Sequence, residues 1–178
     1  MSDQELSELI RSNIRDIQDF PKPGILFKDL STLMLNPELM QIIVHALGAK
    51  APDGVEAIAG MESRGFWFGP ALAMHLKVPF VPLRKPGKLP GATIGIDYAL
   101  EYGTNRLEVH EDAFQQGQRV LIHDDLLATG GTAKAAWKLV QKAGAIPVGC
   151  SFLFAIDALE GEAALQDSCR NIAILARQ

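Results

Sequence analysis

Residues 120–133, VLIHDDLLATGGTA, constrain the chain more than any other stretch. Val120, Leu121 and Ile122 read as a short buried strand, Asp124 and Asp125 follow at its end, and residues 128–132 open the next helix. Glycines in such a turn let the backbone bend tightly and come close to an anion. The first N–H groups of a helix lack internal partners, and the helix dipole there favours negative charge. Thr129 and Thr132 add hydroxyl donors. No lysine follows the glycines, which excludes the nucleotide-triphosphate loop that requires one. Two adjacent carboxylates would repel a bare phosphate, and ribose hydroxyls or a hard cation such as Mg²⁺ are the natural intermediaries. The segment therefore suits a ribose 5-phosphate. Spacing alone also leaves open an ordinary strand–helix connection with two solvated aspartates.

The rest of the chain alternates strands with helices. Leu6, Leu9, Ile10, Ile14 and Ile17 fall on one helical face. Pro21, Pro23 and Gly24 forbid a continuation of that helix. Asn36-Pro37 reads as a helix start, with Leu39, Met40, Ile43, Val44 and Leu47 as the buried stripe and Gly48 as the stop. Strands are expected over 55–59, 78–83, 120–122, 146–156 and 172–175, with helices over 66–76, after the 120–122 strand with Ala133, Ala136, Trp137 and Val140 on one face, and over 158–165. Residues 84–91, RKPGKLPG, form a basic solvent loop. Residues 94–98 and 107–110 form a hairpin outside the main sheet. This alternation implies an α/β fold with a mostly parallel central sheet flanked by helices. Residues 1–178 are expected to form one domain. Ligands of such sheets bind at the carboxyl ends of the strands, here the loops after residues 59, 83 and 122.

Composition narrows the function classes. A net charge of -4 argues against a broad sequence-independent grip on nucleic acid. The polar, acidic N-terminus lacks a signal-peptide pattern, and the longest apolar run is too short to span a bilayer as a helix. A cytoplasmic protein without membrane partners is expected. Cys150 and Cys169 show no metal-ligand or disulfide-framework spacing, and His45, His75, His110 and His123 are too scattered for a metal signature.

The 120–133 segment closely resembles the phosphoribosyl pyrophosphate signature of the type I phosphoribosyltransferases, and its ATGGT form resembles the adenine-specific branch. Residues 20–29, 58–70 (IAGMESRGFWFGP), 84–91 and 98–103 (YALEYG) are also similar to that branch, in the same order. The resemblance implies the type I fold with a small hood and a flexible β-hairpin loop, Mg²⁺ dependence and a homodimer. It further implies that Ala128, Thr129, Gly130, Gly131 and Thr132 hold the 5-phosphate, and that Asp124 and Asp125 hold the ribose hydroxyls. The metal would reach the protein through substrate and water, near Asp124 and Asp125, without direct ligands. Ser63, Arg64, Arg84 and Lys88 would meet pyrophosphate, with a non-proline cis peptide at Glu62-Ser63 or beside it. Arg64 can otherwise pair with Glu62 at the surface.

Glu101 matches the branch's catalytic acid, acting near purine N7, with Arg64 as the second catalytic residue. Leu26, Phe27 and Lys28 would bind adenine through the backbone, Phe27 stacking on one face of the base and Ile156 covering the other. Adenine, phosphoribosyl pyrophosphate, AMP and pyrophosphate are the implied ligands. The branch commonly carries a glutamate where Ala155 stands here. Readings kept open are a transferase for another base such as xanthine, a ligand-sensing regulator of the same fold, and an unrelated α/β nucleotide binder.

Overall fold

A computed structural model describes residues 1–99 and 104–178. Helix α1, Asp3–Ser12, begins with a capping box in which Ser2 Oγ accepts from the Glu5 N–H and Glu5 Oε2 accepts from the Ser2 N–H. It ends earlier than its apolar periodicity predicts. The Asn13 side-chain amide donates to Leu9 O at 2.9 Å, closing the last turn. Ile14 and Ile17 therefore leave the helix. Strand β1, Arg15–Ile17, pairs antiparallel with β2, Phe27–Asp29, because the Pro21 to Gly24 turn returns the chain beside it and ion pairs Arg15–Asp29 and Lys28–Asp16 join the two strands. A 3₁₀ turn over Leu30–Leu35, which the sequence reading did not foresee, leads to α2, Pro37–Ala49. Asn36 Oδ1 accepts from the Leu39 N–H at 3.1 Å, so the cap lies where expected, and the helix runs one residue past Gly48.

Strands β3 (Ala57–Met61), β4 (Phe80–Leu83), β7 (Arg119–Leu127), β8 (Ile146–Ala155) and β9 (Ile172–Arg177) form a five-stranded sheet in the order β4-β3-β7-β8-β9, every neighbouring pair parallel. Helices α3 (Gly65–Leu76), α4 (Gly131–Lys142) and α5 (Gly161–Gln166) connect them. Alternate residues of the strands feed two apolar cores. Leu121 and Ile58 join α1, α2 and α3 on one face. Val120 and Ile122 join α4 and Leu165 of α5 on the other. Strands β5, Thr93–Ala99, and β6, Thr104–His110, form the expected separate hairpin. Two backbone bonds tie it to the sheet margin, Arg84 N–H to Glu108 O and Glu108 N–H to Arg84 O, at 2.8 and 2.7 Å.

The main departure concerns β7. The sequence predicts a strand ending at Ile122 with the acids beyond it, yet β7 continues to Leu127 and carries both acids within it. Its central position explains the extension. It pairs with β3 as far as His123 and with β8 as far as Leu127, opposite Ala155. Ladder partners thus exist for a longer run than hydrophobicity alone signals.

Inside β7, His123 is completely buried. Its Nδ1 lies 2.9 Å from Ser151 Oγ, and Nε2 has no partner among the described residues. Burial pushes the imidazole from 6.5 down to about 4, outweighing the Ser151 contact. The folded chain then binds fewer protons than the unfolded chain between those values. This contribution to stability is complete above pH 6.5 and is lost as pH falls toward and through 4. At about 1.4 kcal/mol per decade of proton activity, charging the ring costs roughly 3 kcal/mol. NMR of the His123 ring protons should therefore show a neutral ring down to pH 5, and a midpoint near 6.5 would contradict the burial argument.

Candidate active site

The carboxyl edge of the sheet gathers the loops that follow β3, β4 and β7. The first two are stitched together by the Glu62 N–H, which donates to Leu83 O at 2.9 Å. Glu62 Oε2 in turn accepts from Arg84 Nε at 2.9 Å and from the Lys85 N–H at 2.7 Å. Burial opposes ionisation of Glu62, but these two donors outweigh it and hold the carboxyl below its ordinary value. The Glu62–Ser63 peptide is cis, at the position the resemblance implies. Arg64 does not pair with Glu62, which Arg84 already occupies. Its Nε lies 3.3 Å from Asp125 Oδ2.

The turn after β7 is built around Gly130, whose φ of +78° suits glycine and strains other residues. Gly130 caps α4 without a side-chain hydrogen bond, whereas α1 and α2 are capped by Ser2 and Asn36. The helix ladder begins with the Lys134 N–H donating to Gly130 O at 2.9 Å. The N–H groups of Gly131, Thr132 and Ala133 precede it and have no acceptor within the helix. Arg64, Asp124 and residues 128–132 line one cleft of about 160 Å³ with these donors, together with Met61 and Phe152. Gly65 allows α3 to press on β7 beside this cleft. A Cβ there would lie 2.7 Å from His123 O and 3.3 Å from Asp124 Oδ1.

Both carboxyls are perturbed. Burial raises Asp124, the charge of Asp125 pushes the same way, and the Asp125 N–H, which donates to Asp124 Oδ1 at 3.0 Å, offsets part of this. Burial also raises Asp125, with the Arg64 charge opposing it. Asp125 is 0% exposed, and neither of its oxygens has a hydrogen-bond donor among the described residues. The cleft lining includes Asp124 but not Asp125.

Sequence reasoning missed Gly161. A Cβ on Gly130 would stand 2.7 Å from Gly161 O, and a Cβ on Gly161 would overlap Ala128 O. The first residue of α5 thus packs directly behind the turn. The only local signal is a glycine between Glu160 and Glu162 at the start of a short helix, which reads as a generic turn residue.

Other expected residues lie apart from this cleft. Leu26 is 40% exposed just before β2. Phe27 packs edge-to-face on Phe20, centroids 5.0 Å apart. Lys28 Nζ bonds Asp16 at 2.7 Å and borders a different groove with Ile14 and Phe154. Ile156 is nearer, its N–H donating to Leu127 O at 3.0 Å, and it lines an adjoining cavity with Ala155 and Gly161. Arg84 stacks over Phe66 at 5.7 Å as it holds Glu62. Ser63 and Lys88 are exposed. Glu101, with Tyr102 and Gly103, lies outside the described residues.

Comparison with known proteins agrees with this arrangement. The phosphoribosyl transferase domain model matches residues 30–173. The chain is 49% identical over 172 residues to adenine phosphoribosyltransferase of Cytophaga hutchinsonii, covering 96% of this chain and 95% of that protein. It superposes on the crystal structure of adenine phosphoribosyltransferase from Thermoanaerobacter pseudethanolicus with a TM-score of 0.90 and 47% identity, over 96% of this chain and 99% of that one. The Saccharomyces cerevisiae adenine phosphoribosyltransferase, complexed with an imino-altritol bisphosphate and adenine, gives a TM-score of 0.86 and 37% identity, over 96% and 97% of the two chains.

Gly161→Ala provides a direct test of the packing behind the turn. The added methyl meets backbone, so the turn must shift, at a cost of about 1–3 kcal/mol in unfolding free energy by urea titration. Ribose 5-phosphate affinity by calorimetry should fall at least about tenfold, since misplaced N–H donors lose charge-assisted bonds. Wild-type stability and affinity in the variant would contradict this packing.

Proposed function

The chain belongs to the phosphoribosyltransferase family, and on that premise we propose that it transfers the 5-phosphoribosyl group of phosphoribosyl pyrophosphate to N9 of adenine, giving AMP and pyrophosphate in purine salvage. One observation carries the reading. An uncapped helix start, the Asp124 carboxyl and the Arg64 guanidinium converge on one cleft at the carboxyl edge of a parallel sheet. Each suits one part of the substrate.

Ala128, Thr129, Gly130, Gly131 and Thr132 hold the 5-phosphate through the free N–H groups of α4 and the threonine hydroxyls. The Asp124 carboxylate accepts hydrogen bonds from the ribose hydroxyls and so orients C1 toward the base. Arg64 and the basic loop, with Ser63, Arg84 and Lys88, neutralise the charge that builds on pyrophosphate as its bond to C1 lengthens. Adenine N9 then bonds to C1, and the purine gives up one proton. Glu101 meets N7 and stabilises positive charge on the ring at that moment.

Mg²⁺ fits this site. Asp124 is a half-buried carboxyl beside a second acid, and both are raised by burial, a setting that a divalent cation on substrate oxygens relieves. When bound, the ion neutralises pyrophosphate oxygens and fixes the ribose. Among the described residues no group of three or more His, Cys, Asp or Glu side chains could ligate a metal alone. In the proposed complex the ion reaches the protein through substrate and water, near Asp124 and Asp125.

On the base side, adenine presents a 6-amino donor next to the N1 acceptor. An extended backbone at Leu26, Phe27 and Lys28 offers the complementary C=O and N–H. Phe27 stacks on the purine and Ile156 covers it. The bond from Ile156 to Leu127, directly ahead of the turn, supports this placement. Ala155 is buried beside Leu127 in the sheet and adds no polar group to the pocket. Residues 1–178 act as one catalytic domain, working as a cytoplasmic homodimer. Among the described residues no helix is long and apolar enough to cross a membrane.

Two outcomes are expected. Purified protein with Mg²⁺ and phosphoribosyl pyrophosphate should convert adenine at least about a hundredfold more efficiently than hypoxanthine, because hypoxanthine sets donor against donor and acceptor against acceptor. Preference for another base in a chromatographic assay would overturn the base assignment. Glu101→Gln should lower kcat by about 10²–10⁴ while AMP affinity stays within a few-fold, and an unchanged kcat would remove Glu101 from the chemistry.

A further inference from the structure

Asp124 and Asp125 adjoin in sequence but meet different surroundings. Both lie inside β7, and successive side chains of a strand point to opposite faces. Asp124 lines the cleft. Asp125 has no exposed surface, and its charged partner is Arg64, Nε to Oδ2 at 3.3 Å. The Arg64 side chain is 34% exposed and lines the same cleft as Asp124. The contact is an ion pair without a hydrogen bond, and Nε is its nearest nitrogen, so the two terminal NH₂ groups remain available to a ligand in the cleft. The next residue, Gly65, makes the approach possible, since a Cβ there would lie 2.7 Å from His123 O.

We propose that Asp125 is a positioning residue for Arg64 and that Asp124 alone of the pair meets the ribose hydroxyls. Asp125 holds the guanidinium by its Nε, so that the terminal NH₂ groups face the pyrophosphate leaving group. This role rests on the phosphoribosyl-transfer reading. It reverses the expectation that both carboxylates bind ribose. The pair links the sheet's central strand to the loop after β3, so the group that receives the leaving charge is fixed before substrate arrives.

Asp125→Asn keeps the shape and removes the charge. Calorimetry with Mg²⁺-pyrophosphate should show affinity lowered about tenfold to a hundredfold, while AMP and ribose 5-phosphate bind within twofold of wild type. In the reverse reaction KM for pyrophosphate should rise and KM for AMP should not. Arg64→Ala should match this loss, and adding Asp125→Asn to it should cost nothing further. Asp124→Asn should show the opposite pattern, with ribose 5-phosphate weakened. Equal weakening of AMP and pyrophosphate in Asp125→Asn, or an unchanged pyrophosphate affinity, overturns the proposal. Should Asp125→Asn fail to fold, Arg64→Lys decides. It keeps the charge but lacks Nε, so unaltered pyrophosphate affinity there overturns the proposal too. A wild-type protein that binds these ligands yet makes no AMP would sink the transfer reading while leaving the Asp125 role to be judged on the binding data.

Discussion

The site depends on a helix that starts without a cap. Side chains satisfy the starts of α1 and α2, Ser2 and Asn36 respectively, whereas α3, α4 and α5 begin without one, and of these three α4 is the one whose first residues line the cleft beside Asp124. At α4 the chain places Gly130 in the left-handed region and leaves the N–H groups of Gly131, Thr132 and Ala133 without an acceptor inside the helix. An N-cap serine or aspartate is worth about 1 kcal/mol to a helix. Omitting it leaves donors that an anion can satisfy. Everything around the turn keeps it in register, with β7 feeding it from the centre of the sheet and Gly161 closing on it from behind.

Charge is handled by placement. The same central strand carries His123 with a neutral ring, Asp124 at the cleft and Asp125 beneath Arg64. Ionised groups in such surroundings are strongly disfavoured unless paired. The proposed ligand, which brings phosphate, hydroxyls and a hard cation together, would meet the opposed needs of these groups. Glu62 plays a complementary part at the surface. By occupying Arg84 and the Lys85 N–H it binds the loops after β3 and β4 into one wall, which leaves Arg64 free for Asp125.

Much of this was legible from residues alone. The alternation of strands and helices gave the parallel sheet, Asn36-Pro37 gave the start of α2, and residues 128–132 were placed at the turn that opens α4 and lines the cleft. What escaped was set by tertiary neighbours. Ile14 and Ile17 keep helical spacing, but Asn13 ends the helix and β2 captures the chain. Hydrophobicity stopped β7 at Ile122, whereas β3 and β8 carry it to Leu127, and that extension separates the two aspartates. Gly161 was invisible because its importance lies in the Ala128 carbonyl, which is distant in sequence.

The central claim is that backbone donors at the start of α4 hold the sugar phosphate. Amide NMR of the ¹⁵N-labelled protein during titration with ribose 5-phosphate tests it most directly. Gly131, Thr132 and Ala133 should show the largest downfield shifts, saturating together with Thr129. Saturable binding with those amides unmoved, and the shifts gathered at another helix start, would contradict it.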